Sequence, residues 1–254
     1  MKLTLIGNGM MAKSLAKGLV ATYEVEIIGR DEVNLNVLKK EIPEVHIKVM
    51  DDVEDITDKI IIFCVKPYAL QSVSARLKGK AKVFLSILAG TKLETLKQNI
   101  EASHYVRTMP NVAASYQKST TTITGDKEAK NLAIELFNSI GQTVWVNTEN
   151  QLDIATAVAG SGPAFLALVA ESLTDGAVKA GLERNHSEKL VQGLFEGMGA
   201  LLKHEHPALI KDSVMSPGGT TAEGYACLED GAVRAAFIEA INKAYEKAVQ
   251  LSKA

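Results

Sequence analysis

The sequence predicts an α/β fold, a doubly wound and mostly parallel sheet, followed by an all-α domain. Three observations carry this reading. Short apolar runs and helical spacings alternate through the first half, as parallel strands with crossover helices do. The run Ile60-Ile61-Ile62-Phe63-Cys64-Val65 is apolar throughout, as expected of a strand covered on both faces. After Asn147-Thr148-Glu149-Asn150 the strand signals stop and only helical spacing continues, which sets two domains, 1–148 and 149–254.

Lys2 to Ile6 reads as the first strand. It runs into Gly7-Asn8-Gly9-Met10-Met11-Ala12, and Lys13 to Val20 has helical spacing. Strand, glycine turn and helix are the context that a dinucleotide fingerprint needs. Gly7 permits the tight turn, Gly9 lets a pyrophosphate approach the backbone, and Ala12 lets the helix sit close to the strand. The second strand, Val25 to Ile28, ends at Gly29-Arg30. An arginine there accommodates a ribose 2′-phosphate, where an acid would bond a free 2′-hydroxyl. The expected cofactor is therefore NADPH, with NADH the alternative; Asp31, next in the chain, is the group that could neutralise Arg30.

The apolar run ends at Lys66-Pro67, and ligands of open α/β sheets bind outside the carboxyl ends of strands. Cys64, Val65, Lys66 and Pro67 are thus expected beside the cofactor, together with Gly7, Asn8, Gly9, Met10, Met11 and Arg30. Further strands are read at Lys82 to Leu88 and at Tyr105-Val106, the second ending in Arg107-Thr108-Met109-Pro110-Asn111. A helix from Glu128 to Ile140 leads to Val144-Trp145-Val146, which closes the sheet.

In the second half Gly160-Ser161-Gly162 reads as a break or kink, with a fresh helix at Pro163, since proline suits a first helical turn. Phe165 to Ala180 is apolar nearly all round and predicts a buried helix. Stripes at Leu190, Val191, Leu194, Phe195 and Met198, and at Val233, Phe237, Ile241 and Tyr245, are core or subunit interface. Such broad apolar faces suggest two chains sharing one helical core, and symmetric dimers are the commonest oligomers.

Composition narrows the function. With 254 residues and 46% hydrophobic content, the chain can bury a sizeable core. A net charge of −2 argues against a general nucleic-acid binder. No run of about 20 apolar residues is read, so no membrane span is expected. The apolar run at the N-terminus is too short for a signal peptide. Cys64 and Cys227, in unrelated contexts, read as reduced thiols of a cytoplasmic protein. His204-Glu205-His206 lacks the spacing of a helical zinc site, and no metal is expected.

The stretch Ser216-Pro217-Gly218-Gly219-Thr220-Thr221-Ala222-Glu223-Gly224 stands apart. Adjacent glycines free backbone N–H groups, and threonines follow where a helix begins, which makes a candidate anion site. The plainer reading is a capping box, with Thr220 as N-cap and Glu223 reaching back.

Taken together, the motifs resemble the pyrroline-5-carboxylate reductase family along the whole chain. The resemblance rests on Gly7-Asn8-Gly9-Met10, Cys64-Val65-Lys66-Pro67, Arg107-Thr108-Met109-Pro110-Asn111 and Gly160-Ser161-Gly162-Pro163-Ala164. Its most specific part is Lys211-Asp212-Ser213-Val214 leading into Ser216-Pro217-Gly218-Gly219-Thr220-Thr221. It implies an N-terminal Rossmann domain, a C-terminal helical domain that forms a homodimer, and a larger ring, a decamer built of dimers. It implies reduction of 1-pyrroline-5-carboxylate to L-proline with NADPH. Carried over by position, the backbone around Ser216, Gly218, Gly219 and Thr220 would hold the substrate carboxylate, and Thr221 would meet the ring nitrogen as the catalytic residue. Alternatives are a related reductase of another small imino or keto acid and a non-catalytic NADPH sensor. Two departures stand out: Ala159, where many members have serine, and Asp51 in Met50-Asp51-Asp52, where relatives often offer an asparagine to the adenosine. An acid at Asp51 would oppose a nearby 2′-phosphate.

Overall fold

Strand β1 (Lys2–Ile6) forms from residues that are buried from Leu3 onward, so both of its faces are covered. It is central to an eight-stranded sheet completed by β2 (Glu24–Gly29), β3 (His46–Val49), β4 (Ile60–Phe63), β5 (Ala81–Ser86), β6 (Ala102–Met109), β7 (Ser119–Gly125) and β8 (Gly141–Trp145). The computed structural model describes residues 1–252; the last two residues of the expected helical domain lie outside it. The strand order is β8-β7-β6-β5-β4-β1-β2-β3, parallel except where β7 pairs antiparallel with β6. The order 3-2-1-4-5-6 within it is the doubly wound Rossmann arrangement, whose direction reverses between β1 and β4.

Helices cover both faces. Ala12, Leu15 and Ala16 of α1 (Met10–Leu19), Leu35 and Leu38 of α2 (Glu32–Glu41), and Leu136 and Phe137 of α5 (Lys130–Asn138) pack into one core layer. Leu70 and Val73 of α3 (Leu70–Ser74) and Leu96 of α4 (Leu93–Asn99) pack into the other, around Phe63 and Phe84. The first helix starts at Met10, three residues earlier than its spacing suggested, because Gly9 is extended (φ −83°, ψ −177°) and caps it. Sequence reading missed β7. Its four threonines are polar by composition but β-branched, and Thr121, Thr122 and Thr124 are buried in the sheet. It also cut β6 short: Arg107, Thr108 and Met109 belong to the strand rather than to the loop after it.

The described residues divide into two compact units, Met1–Ser161 with the end of the last helix from Lys243, and Gly162–Asn242. The first unit ends in α6 (Glu149–Ala155) and a π turn, Thr156–Gly160, in which the Ser161 N–H bonds the Thr156 carbonyl at 3.1 Å. Helix α7 (Gly162–Lys179) follows with Pro163 as its second residue, so the expected break is a widened helical turn. The second unit holds α7, α8 (Arg184–Leu201), α9 (Pro207–Val214), α10 (Thr220–Asp230) and the start of α11 (Val233–Leu251).

One expectation is corrected here. Helix α7 is not buried within the chain: Thr174 is its one buried residue, and Leu166 and Leu168 are more than half exposed. Among the described residues, Leu166 and Leu168 of that apolar face are left largely uncovered. The run Glu149–Lys179 is also long and apolar enough to cross a membrane by length and composition. The backbone stays helical through Gly160 to Pro163, which gives the run its length; length and composition alone do not make it a membrane span.

Candidate functional site

A cleft opens at the carboxyl ends of β1, β2, β3 and β4, where the sheet reverses direction. Its floor is the first turn. Gly7 has φ +117°, and a Cβ there would lie 2.7 Å from the Cys64 carbonyl oxygen, so only glycine fits. Beside Gly9, by contrast, a Cβ would meet nothing within 4 Å, which leaves room for a ligand to reach the backbone. The first backbone bond of α1 runs from Lys13 N–H to the Gly9 carbonyl at 3.1 Å. The N–H groups of Met10, Met11 and Ala12 are thus free at a helix N-terminus, the arrangement that binds phosphate.

Asn8 fixes the turn sideways, its Nδ2 donating to the Asp31 carbonyl at 2.9 Å. The Asp31 carboxylate is occupied as the cap of α2, accepting from Asn34 N–H at 3.0 Å and Asn34 Nδ2 at 2.8 Å. Arg30, exposed on the cleft wall, forms no ion pair with any described residue. The neutralising pair that the sequence allowed is therefore not formed. Cys64, Val65 and Lys66 line the opposite wall with Tyr68. Burial pushes the Cys64 thiol well above its ordinary pKa, and its Sγ donates to the Ile62 carbonyl, so it stands as a neutral wall. Met10 points to solvent, Met11 packs against the core under α1, and Pro67 begins a short 3₁₀ turn, Pro67–Ala69. These three do not line the cleft. Tyr68, which does, carried no sequence signal beyond following Pro67.

The donor set fits a dinucleotide: free N–H groups at a helix start, a glycine that leaves space, and an unpaired arginine beyond β2.

In the second unit, Ser216-Pro217-Gly218-Gly219 is a type II turn. Proline sits at its second position, Gly218 has φ +66° at its third, and Gly219 N–H bonds the Ser216 carbonyl at 3.0 Å. Gly219 is also the N-cap of α10, without a side-chain cap bond. The capping box is thus corrected by one position. Thr220 is already helical, and the first helical backbone bonds come from Ala222 and Glu223 to the Gly219 carbonyl. The N–H groups of Thr220 and Thr221 consequently have no backbone partner, and neither hydroxyl bonds any described residue. A Cβ at Gly219 would fall 2.4 Å from the Ser216 Oγ and 3.1 Å from its carbonyl oxygen, so a side chain there would make the Ser216 hydroxyl rotate away. Upstream, Lys211 pairs with Asp212 at 2.7 Å and lies over the Tyr225 ring.

A third group is joined by contacts that no sequence pattern announced. Arg107 is fully buried in β6, with Nη1 donating to Glu149 Oε1 at 2.8 Å and Nη2 to Asp153 Oδ1 at 3.0 Å. Glu149 Oε1 also accepts from Leu93 N–H at 2.8 Å, while Arg107 Nε has no partner. Asn111 Nδ2 donates to the Ala159 carbonyl in the π turn at 3.1 Å. These contacts tie the helical run to the sheet through the Arg107–Asn111 motif. The Ala159 contact is through backbone, so alanine in place of serine leaves it intact.

Two family models match the chain. Residues 149–251 match the family model described as pyrroline-5-carboxylate reductase dimerisation. Residues 2–90 match one described as NADP oxidoreductase, coenzyme F420-dependent. A pyrroline-5-carboxylate reductase of Synechocystis sp. is 38% identical over 267 residues, covering 99% of this chain and 98% of its own. The solved structure of a pyrroline-5-carboxylate reductase from Coxiella burnetii superposes with a TM-score of 0.85 at 30% identity, covering 99% of this chain and 98% of its own. That of a Plasmodium falciparum pyrroline carboxylate reductase with NADP bound gives 0.84 at 27% identity, covering 99% and 100%.

Proposed function

The chain belongs to the pyrroline-5-carboxylate reductase family, and from that premise we propose that it reduces 1-pyrroline-5-carboxylate to L-proline with NADPH. The observation that carries the substrate half is the 216–221 turn, which presents two free N–H groups and two free hydroxyls in succession. The cofactor half is supported by the cleft at the end of β1, and NADPH over NADH by the unpaired Arg30.

When bound, the reduced nicotinamide supplies the hydride. The chain's own part is to hold and orient. The N–H groups of Thr220 and Thr221, at the positive end of α10, donate to the ring carboxylate. Ser216 and Gly219 shape that cradle, and Gly218 supplies its positive φ. The Thr221 hydroxyl accepts from the iminium N–H of the substrate and donates to the amine of the product. The substrate cation vanishes as the C–H bond forms, so no buried acid is needed in the pocket. The proximity of donor and acceptor carbons then contributes most of the rate.

In the first unit, Gly7, Asn8 and Gly9 with the start of α1 hold the pyrophosphate. Arg30 takes the 2′-phosphate, and Cys64 to Lys66 border the cofactor. Met10 contributes its backbone N–H, as does Met11; Pro67 sets the turn behind Lys66.

The same reading has residues 149–254 form a homodimer, which covers the exposed leucines of α7 and α8, with the decamer as the larger assembly, in the cytoplasm. One assay tests the activity: NADPH oxidation with 1-pyrroline-5-carboxylate, beside other cyclic imines and keto acids. Turnover restricted to the first substrate is expected. Turnover only with another class would make it a different reductase, and none with any would leave a nucleotide sensor.

A further inference from the structure

We propose that Lys48 and Asp51 set the choice between phosphorylated and unphosphorylated ribose at the cleft, with Lys48 cancelling an acid that would otherwise repel the 2′-phosphate. The inference rests on the reading of the cleft as a cofactor site.

The geometry starts from the β2–β3 pairing. Lys48 lies opposite Ile28, and the Met50 N–H bonds the Gly29 carbonyl at 2.8 Å. Ile28, Gly29, Arg30 and Met50 all line the cleft, and Asp51, its side chain exposed, is the next residue after Met50. Lys48 Nζ lies 2.9 Å from Asp51 Oδ2 and 2.7 Å from Glu54 Oε2. Glu54 also accepts the Asp51 N–H at 2.9 Å, which holds the loop against the strand.

The charges can be counted. Lys48 opposes two carboxylates, of which Glu54 is buried and Asp51 exposed. Without Lys48 the rim would carry two uncancelled acids near the unpaired Arg30. With it, one net negative charge remains, and that is matched by Arg30. At long range the four charges then sum to zero, and a phosphate dianion is held by direct contact with Arg30 and by the free N–H groups rather than by a net positive rim. Removing Asp51 leaves the rim one charge more positive; removing Lys48 leaves it one more negative. The salt bridge thus offsets the acid in Met50-Asp51-Asp52 that, on sequence alone, argued for NADH.

The test is binding, not turnover. Isothermal titration of the whole chain with adenosine 2′,5′-bisphosphate and with adenosine 5′-phosphate gives a ratio of dissociation constants. Asp51→Asn, at an exposed position, is expected to tighten the bisphosphate by about three- to fivefold, the scale of one screened surface charge. The monophosphate should move by less than about twofold, because it lacks the group that feels the change. Lys48→Met should weaken the bisphosphate by about fivefold or more, since two acids are uncovered. That variant also strips the buried Glu54 of its cation; if circular dichroism shows it unfolded, Asp51→Asn decides alone. An unchanged ratio in Asp51→Asn overturns the proposal. If neither fragment binds the unsubstituted chain, the cofactor reading of the cleft fails and this inference falls with it.

Discussion

Replacing Arg107 by methionine should cost this protein more stability than any single change at either candidate site. The guanidinium is 1% exposed and faces two carboxylates, Glu149 at 2.8 Å and Asp153 at 3.0 Å. Methionine fills most of the space but leaves both acids without a cation. Breaking a buried pair from one side costs about 3–5 kcal/mol, chiefly because a charge is left behind in a poor solvent. The lower end applies here. Glu149 is 31% exposed and keeps its bond from Leu93 N–H, so it can recruit water, whereas Asp153 is only 9% exposed. For a chain of this size, about 3 kcal/mol corresponds to a fall in Tm of roughly 6–12 °C.

Urea unfolding followed by fluorescence of Trp145, the one tryptophan, reads the unit concerned because Trp145 lies in β8. Protein concentration must be held fixed, since assembly shifts apparent stability. The triple change Arg107→Met, Glu149→Gln, Asp153→Asn removes the stranded charges and should recover most of the loss. Arg107 Nε already lacks a partner, so the native arrangement is not the most stable one available to the site. If Arg107→Met alone lies within about 1 kcal/mol of the parent, or the triple variant is no better than the single, the cluster does not hold the helical run to the sheet as argued.

Thr221→Ala should lower kcat/KM by one to two decades, about 1.4–2.7 kcal/mol, while Thr221→Ser restores most of it; an unchanged value removes the hydroxyl from the mechanism. Gly7→Ala forces a Cβ to 2.7 Å from the Cys64 carbonyl at φ +117°, and titration should show NADPH binding weakened at least tenfold, about 1.4 kcal/mol. Gly218→Ala meets no atom within 4 Å but must hold φ +66°, so its cost is strain alone, about 1–2 kcal/mol, seen as a raised KM with a modest fall in Tm. The Cys64 thiol, raised above its ordinary 9.0 by burial, keeps its proton when folded at a pH where the unfolded chain loses it. Its contribution is complete below pH 9 and declines above it, so Cys64→Ala should flatten the alkaline limb of a stability–pH curve.

What could be read from sequence was local. Gly7, the Ile60–Phe63 run and the proline–glycine turn are each announced by residues adjacent in the chain, although Gly7 is packed against Cys64 and the run is paired with distant strands. The partners of Arg107 lie 42 and 46 positions away, and no periodicity announces a buried ion cluster at that range. Strand β7 was hidden because threonine counts as polar in a pattern but as β-branched in a sheet. The capping box failed by a single residue, since glycine can take the N-cap in Thr220's place. The apolar face of α7 was legible as apolar and illegible as exposed, because what covers it is not encoded in the same stretch of chain.

On the proposed reading, the two candidate sites would hold anions by different means. The cleft combines helix-start N–H groups with the full charge of Arg30 and a rim on which Lys48 opposes Asp51. The 216–221 turn presents N–H dipoles and hydroxyls, with no ionisable side chain among those six residues. A fixed charge suits a phosphate dianion, which is costly to desolvate and gains from a partner of opposite sign. A carboxylate on a ring that is itself cationic presents a different problem. A lysine or arginine in the turn would bind the carboxylate but repel the iminium that must form beside it. Dipoles hold the first without opposing the second. If the proposed roles hold, threonine and glycine at these positions follow from the charge of the substrate as directly as Arg30 follows from that of the cofactor.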